Sequence, residues 1–153
     1  MRVLMRNKIL NINKLISYKT FIVKRYIILN ENIRKIAINE IRINEYLIEN
    51  QFNYSPKMIK VLISRKYIDI YFEKINTTKL NRKPLIKKRL SHILKKLHSI
   101  NVCHNDLNLS NILSDGKNIY LIDFALASIS SEYDYDYIKL KKIESWIDNG
   151  TIF

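Results

Sequence analysis

The sequence predicts an α+β fold: one compact unit in two lobes, with a small antiparallel sheet and one helix preceding a reduced, mainly helical part. Three observations point to it. Stretches rich in β-branched and aromatic residues flank a single helical repeat in the first half of the chain. A second helical repeat opens at Pro84, and Asp115-Gly116 lies between two apolar runs, which is a strong hairpin signal. No Gly/Ser linker and no internal repeat divides the 153 residues, enough for one adequate core but hardly for two. Residues 1–153 are therefore expected to form a single domain, with a first lobe over about 1–75 and a second over about 76–153.

Each element has a local reason. "KLISYKTFIVKRY" reads as two short strands, since alternation is visible from Thr20 to Tyr26. From Leu29 to Asn50 the pattern becomes helical, with Ile36, Ile43 and Leu47 on one stripe. Glu40 falls on the same stripe, and a carboxylate on a buried helix face is costly unless a cation pairs with it. "PKMIKVLISRKYIDIYFEKI" gives two strands around a turn at Ser64 to Lys66. Pro84 suits the first turn of the next helix, whose Ile86, Leu90, Ile93, Leu94 and Leu97 make a core face opposite Lys87, Lys88, Lys95 and Lys96. A loop, the Asp-Gly hairpin and a last helix in "YDYDYIKLKKIESW" complete the order.

Composition narrows the functional classes. Hydrophobic residues at 47% and charged residues at 27% describe a globular chain. One cysteine, Cys103, excludes an internal disulfide, and no Cys/His spacing suits zinc. No apolar run approaches the roughly 18 residues of a membrane span, and charge breaks "MRVLMRNKIL" too early for a secretory segment, so the expected setting is intracellular, in cytoplasm or nucleus, with no membrane. The net charge of +13 invites a polyanion, nucleic acid or an acidic protein. Lysines that merely solvate the surface of an Ile-, Asn- and Lys-rich chain account for it equally well.

The stretch "CHNDLNLSNIL" carries the most chemistry. Folding the hairpin about Asp115-Gly116 brings Asn111 and Asp123 to neighbouring positions at its open end. Two oxygen-bearing side chains meeting there suit a hard cation such as Mg²⁺ that also carries a nucleotide. Asp106, five positions before Asn111, would lie beside it as a base or orienting carboxylate. Singly, each residue is as readily a turn former, and His104 a packed or capping side chain.

Together these spacings resemble the protein-kinase pattern, H-R-D-x-x-x-x-N followed by D-F-G, here His104-Asn105-Asp106, Asn111 and Asp123-Phe124-Ala125. The resemblance implies a minimal two-lobed protein-kinase-like fold that uses ATP and Mg²⁺. It makes Lys24 in "FIVKRY" the phosphate-holding lysine and Glu40 its helix partner, so that Asp106, Lys24 and Glu40 form the catalytic set. Asn111 and Asp123 become metal ligands, and the backbone of Glu73 and Ile75 meets adenine. Lys24 as a surface lysine remains the plain alternative.

More narrowly, "HNDLNLSN", "IYLIDFALASIS" and "NEIR" resemble the small atypical kinase subunit of the KEOPS (EKC) complex, over roughly Ile22 to Trp146. That resemblance implies an atypical serine/threonine kinase or ATPase supporting threonylcarbamoyladenosine modification of transfer RNA. Its partners would be the threonylcarbamoyl-transferase subunit and other KEOPS subunits, with transfer RNA a further candidate. It also gives Asp136 the task of anchoring the catalytic-loop backbone; capping of the last helix by Asp136 or Asp134 is the alternative. The chain departs from the pattern in having two glycines, Gly116 and Gly150, and hence no Gly-rich loop. Asn11 and Asn13 are the candidates for a turn over the phosphates. Ala125 replaces the glycine after Asp-Phe, and the thirty residues after Asp123 hold no A-P-E. The same loop is similar to choline and aminoglycoside kinase loops, which leaves a small-molecule phosphotransferase as a rival, and an inactive RNA-binding or scaffold protein as another.

Overall fold

The structure, a computed structural model, describes residues 2–4 and 13–150. Five antiparallel strands, β1 (Arg2–Leu4), β2 (Asn13–Ser17), β3 (Phe21–Ile27), β4 (Met58–Ile63) and β5 (Tyr67–Glu73), form one sheet in the order β1-β2-β3-β5-β4. The register pairs Lys24 with Leu15 on one side and Ile70 on the other, so that β3 is central. Helix α1 (Glu31–Glu49) crosses after β3. It starts at Asn30 rather than Leu29 because the Asn30 side chain accepts a hydrogen bond from the Ile33 amide at 3.0 Å, satisfying one of the donors a helix start leaves without a partner.

The remaining elements follow as α2 (Pro84–Ser99), β6 (Val102–Cys103), β7 (Ile112–Ser114), β8 (Ile119–Leu121), β9 (Ser128–Ile129) and α3 (Asp134–Asn149). Short 3-10 turns at Leu109–Asn111 and Phe124–Leu126 frame the β7–β8 hairpin. Pro84 occupies the first turn of α2, and the whole expected face, Ile86, Leu90, Ile93, Leu94 and Leu97, is buried. Against it pack Leu140, Ile143 and Ile147 of α3, whose end is closed by Gly150 at φ +77. Among the described residues no helix is long and apolar enough to cross a membrane.

The buried apolar residues fall into two clusters. Ile33, Ala37 and Ile41 of α1 pack on Tyr26, Ile68 and Ile70 of the sheet. Ile43 and Leu47, one turn further along the same helix, belong to the larger cluster of α2, α3 and the hairpin. Helix α1 thus contributes to both. One expectation is corrected: Asn13 begins β2 and has no left-handed backbone, so it supplies no turn over the phosphates. Asparagine favours turns but also strand beginnings next to them, and its identity alone did not separate the two. Asn11 lies outside the described residues.

Candidate active site

Alternation along β3 puts Lys24 and Tyr26 on one buried face, while Val23 is buried on the other. An ammonium buried in this way would lose its charge or destabilise the fold without partners. Lys24 has two: its Nζ lies 2.9 and 2.8 Å from the Glu40 oxygens and donates to Asp123 Oδ1 at 2.9 Å. Burial works to lower the lysine pKa, but Glu40, Tyr26 and Asp123 together outweigh it and hold the ammonium well above its ordinary value. Glu40, on the stripe between the two clusters, is 1% exposed. Its Oε2 also accepts a hydrogen bond from the Tyr26 hydroxyl at 2.5 Å. The two unusual positions in the sequence, a lysine on a buried strand and a carboxylate on a buried helix stripe, therefore meet.

The loop after β6 is organised by Asp136 from α3. Its Oδ2 accepts from the His104 amide at 2.7 Å, its Oδ1 from the Asn105 amide at 2.9 Å, and His98 Nε2 lies 3.0 Å from Oδ2. Of the two readings for this residue, the geometry matches anchoring of the loop; Tyr133 precedes α3 and no side chain caps it. Burial tends to raise the Asp136 pKa, yet the His98 contact and the two amides carry it below the ordinary value. Asn105 has φ +60, a conformation unfavourable for a residue with a Cβ, and its side chain holds Leu126 O at 3.0 Å and Ser128 Oγ at 2.9 Å. His104 is buried; Nε2 donates to Ile122 O at 3.0 Å and Nδ1 accepts from the Asp106 amide at 3.3 Å. That pattern requires the neutral imidazole, in agreement with a pKa lowered chiefly by burial. His104 is thus a strut between the loop and the strand leading to Asp123.

Asp106 and Asn111 face each other, Asn111 Nδ2 donating to Asp106 O at 2.9 Å and Oδ2 at 3.0 Å. This fixes the amide so that Oδ1 is the end turned away from Asp106. Across the hairpin the Ile122 amide donates to Asn111 O at 3.0 Å, one step beyond the Ile112–Leu121 pair, and Asp123 follows at φ +67. The hairpin thereby delivers Asn111 and Asp123 to its open end. An amide oxygen and a carboxylate are the hard donors that magnesium takes, so this donor set fits the ion. Among the described residues no group of three or more His, Cys, Asp or Glu is gathered as a metal site.

Between sheet and hairpin runs a narrow cleft of about 90 Å³ whose walls include Ile22, Lys24, Phe72, Leu113, Leu121 and Asp123. Glu73 and Ile75 are among the residues that line it. The Glu73 amide already donates to Lys57 O at 2.9 Å, so the backbone groups these two would offer a ligand are the Glu73 carbonyl and the Ile75 amide. Several contributors were missed by sequence reasoning. Tyr26 could have been found, since it lies two residues from Lys24 on the same strand face. Asn39, whose Nδ2 holds Ala125 O at 3.0 Å and Ala127 O at 2.9 Å, and His98 gave no signal of their own. The Asn39 contacts tie α1 to the turn after Asp123, where Ala125 stands in place of a glycine.

A central buried lysine clamped to a helix carboxylate, with a loop and hairpin that present Asp106, Asn111 and Asp123, is set in a minimal protein-kinase-like fold. The chain's sequence kinship is narrower. It is related to the probable bifunctional tRNA threonylcarbamoyladenosine biosynthesis protein of Methanosarcina barkeri, 43% identical over 44 residues, 29% of this chain and 8% of that one. The probable serine/threonine-protein kinase YbdM of Bacillus subtilis is 29% identical over 108 residues, 71% of this chain and 41% of that one. The model of the Lipopolysaccharide kinase (Kdo/WaaP) family matches residues 66–134. In structure the chain is similar to WbdD, described as a bifunctional kinase-methyltransferase, with a TM-score of 0.70 at 14% identity, covering 94% of this chain and 37% of that one. In each case the match spans less than half of the relative's length.

Proposed function

We propose that this chain is an atypical, Mg-ATP-dependent serine/threonine kinase or ATPase that supports threonylcarbamoyladenosine modification of transfer RNA within a KEOPS-like complex inside the cell. In this reading residues 1–153 act as one domain, with the cleft between a first lobe to about residue 75 and a second from about 76. The observation that carries it is the meeting of Lys24, Glu40 and Asp123 above the Asp106–Asn111 pair. Lys24 binds the α- and β-phosphates of ATP, and Glu40 keeps the ammonium in place. The Glu73 carbonyl and Ile75 amide hold the adenine edge. Asn111 Oδ1 and Asp123 would hold magnesium, which supplies neutralisation of phosphate charge when bound. Asp106 orients the attacking hydroxyl or water and takes its proton as the γ-phosphoryl group passes to that oxygen and ADP leaves. The kinship with the threonylcarbamoyladenosine proteins supports the assignment of complex and partner, the threonylcarbamoyl-transferase subunit.

A second reading, a small-molecule phosphotransferase, is favoured by the match of residues 66–134 to a lipopolysaccharide kinase family. Magnesium-dependent ATP turnover separates the readings when measured on the wild type and Asp123→Ala, alone and with the transferase subunit. Turnover that the partner stimulates and Asp123→Ala abolishes is the expected result. Transfer to a sugar, choline or aminoglycoside hydroxyl instead would favour the second reading, and no nucleotide binding in any mixture would leave only a scaffold.

A further inference from the structure

From Lys74 to Asn105 the chain has nine lysines and arginines and not one aspartate or glutamate. A helix that only needed solvation would mix the signs, because like charges three and four apart on a helix repel. In α2 the charges instead take sides. Lys88, Arg89 and His92 project at helical spacing into an open groove on the outside of the second lobe, where they face Lys117 and Tyr120 of the hairpin and Tyr54. The groove has no residue in common with the ATP cleft, although both are built on β8.

Arg89 donates through Nη1 to Lys117 O at 2.5 Å, which brings two cations to the same end of the groove. Among the described residues neither of them, nor Lys88, has an ion-pair partner, whereas Lys87, one position along, is paired with Asp148. One carboxylate borders the groove, Asp115, and it is engaged by the hairpin turn itself: it accepts from the Lys117 and Asn118 amides at 2.8 and 2.6 Å, from the Asn118 side chain at 3.1 Å and from the Tyr120 hydroxyl at 3.0 Å. Three convergent cations against this one carboxylate leave the groove net positive, and such a surface attracts phosphates. Tyr54 and His92, edge to face at 6.1 Å, add aromatic surface on which bases stack. Asn53 beside them carries an amide able to bond a ribose 2′-hydroxyl.

We propose that this groove docks single-stranded or looped RNA, its cations on the backbone and its rings on unpaired bases. The choice of RNA over DNA rests on the proposed function; the groove itself does not depend on that reading. The test is fluorescence anisotropy of the full chain with a labelled single-stranded RNA oligonucleotide, without ATP, over a series of salt concentrations. Lys88→Gln/Lys117→Gln is compared with Lys95→Gln/Lys96→Gln, which removes the same charge from exposed positions of α2 outside the groove. The groove variant is expected to bind about tenfold more weakly, with the slope of log K against log salt smaller by about 1.4 for two lost phosphate contacts. The control should change less than about threefold, and His92→Ala should cost about fivefold through lost stacking. Equal losses in the two double variants would overturn the proposal. So would equal affinity for DNA of the same sequence, or displacement of the RNA by polyglutamate at matched charge. Binding is read without nucleotide turnover, and turnover is measured separately on the same variants, so failure of the ATP chemistry and failure of the groove give different results.

Discussion

Replacing Asp136 by asparagine changes no volume and one charge, and its effect can be worked out from three contacts. The carboxylate receives the His104 amide and His98 on Oδ2 and the Asn105 amide on Oδ1. An asparagine has a single oxygen, best used at the Oδ2 position where two groups converge. Its NH₂ then faces the Asn105 N–H, donor against donor, in a buried site. One charge-assisted bond is lost and two become neutral, a cost of about 2–4 kcal/mol. For a chain of this size that lowers Tm by about 4–16 °C. Asn105 would also be released from φ +60, shifting Asp106 next to it, and a displacement near 1 Å at a reacting group costs about 100-fold in kcat. Thermal unfolding followed by circular dichroism and magnesium-dependent ATP turnover are the assays. The linkage has a definite sign. The folded Asp136 pKa is depressed, so its stabilisation is present above the unfolded value near 4 and is lost as pH falls through the folded value. The gap in Tm between wild type and Asp136→Asn should therefore be full at pH 7 and close in acid. A variant that melts within 2 °C of wild type at pH 7 and turns over within about threefold of it would refute the anchoring account.

Three other substitutions probe separate parts. Lys24→Met removes the ammonium from buried Glu40 and should cost about 3 kcal/mol and at least about 100-fold in turnover. Because the lysine pKa is raised in the fold, the stability difference should persist up to about pH 10 and shrink only above it, as equilibrium unfolding at several pH values would show. Tyr26→Phe deletes a donor to Glu40 Oε2 while Lys24 stays within 2.8 Å of that oxygen, so about 1.5–2 kcal/mol should be lost; an unchanged denaturation midpoint would contradict the bond. Gly116→Ala places a Cβ at ordinary distance from Thr78, 3.5 Å, but at φ +90, and should destabilise by about 1–2 kcal/mol through backbone strain alone; a higher Tm would mean that the turn relaxes.

The large elements were legible because each carries several turns or alternations of pattern. Helix α2 shows this: Pro84 gave its start and five apolar residues its buried face, all of them found inside. The hairpin was legible from two residues, since Asp-Gly specifies the turn, and the turn in turn puts Asn111 and Asp123 at one end. Glu40 was legible as an anomaly whose cost required a cation. What escaped was short or held by side chains. Strands β6 and β9 have two residues each, too few for any period, and pair through contacts remote in sequence. The Asn39 and Asn105 tethers join α1 and the loop to the turn after Asp123, and only the assembled fold determines what an asparagine amide will meet. Asn13 was misplaced because its type suits turn and strand edge alike. The engagement of the Glu73 amide by Lys57 depends on the register of β4 against β5, which shifts between Met58 and Lys60 and which two strands around a turn do not by themselves fix.

A helix that supplies residues to both apolar clusters ties their fates together. Ile33, Ala37 and Ile41 cannot leave the sheet without straining the turn that carries Ile43 and Leu47, so melting of either half propagates along one rod. Glu40 sits at the junction of the two sets. Its bond to Lys24 therefore lies where a shift of the sheet against the rod and a shift of the rod against the larger cluster are both felt.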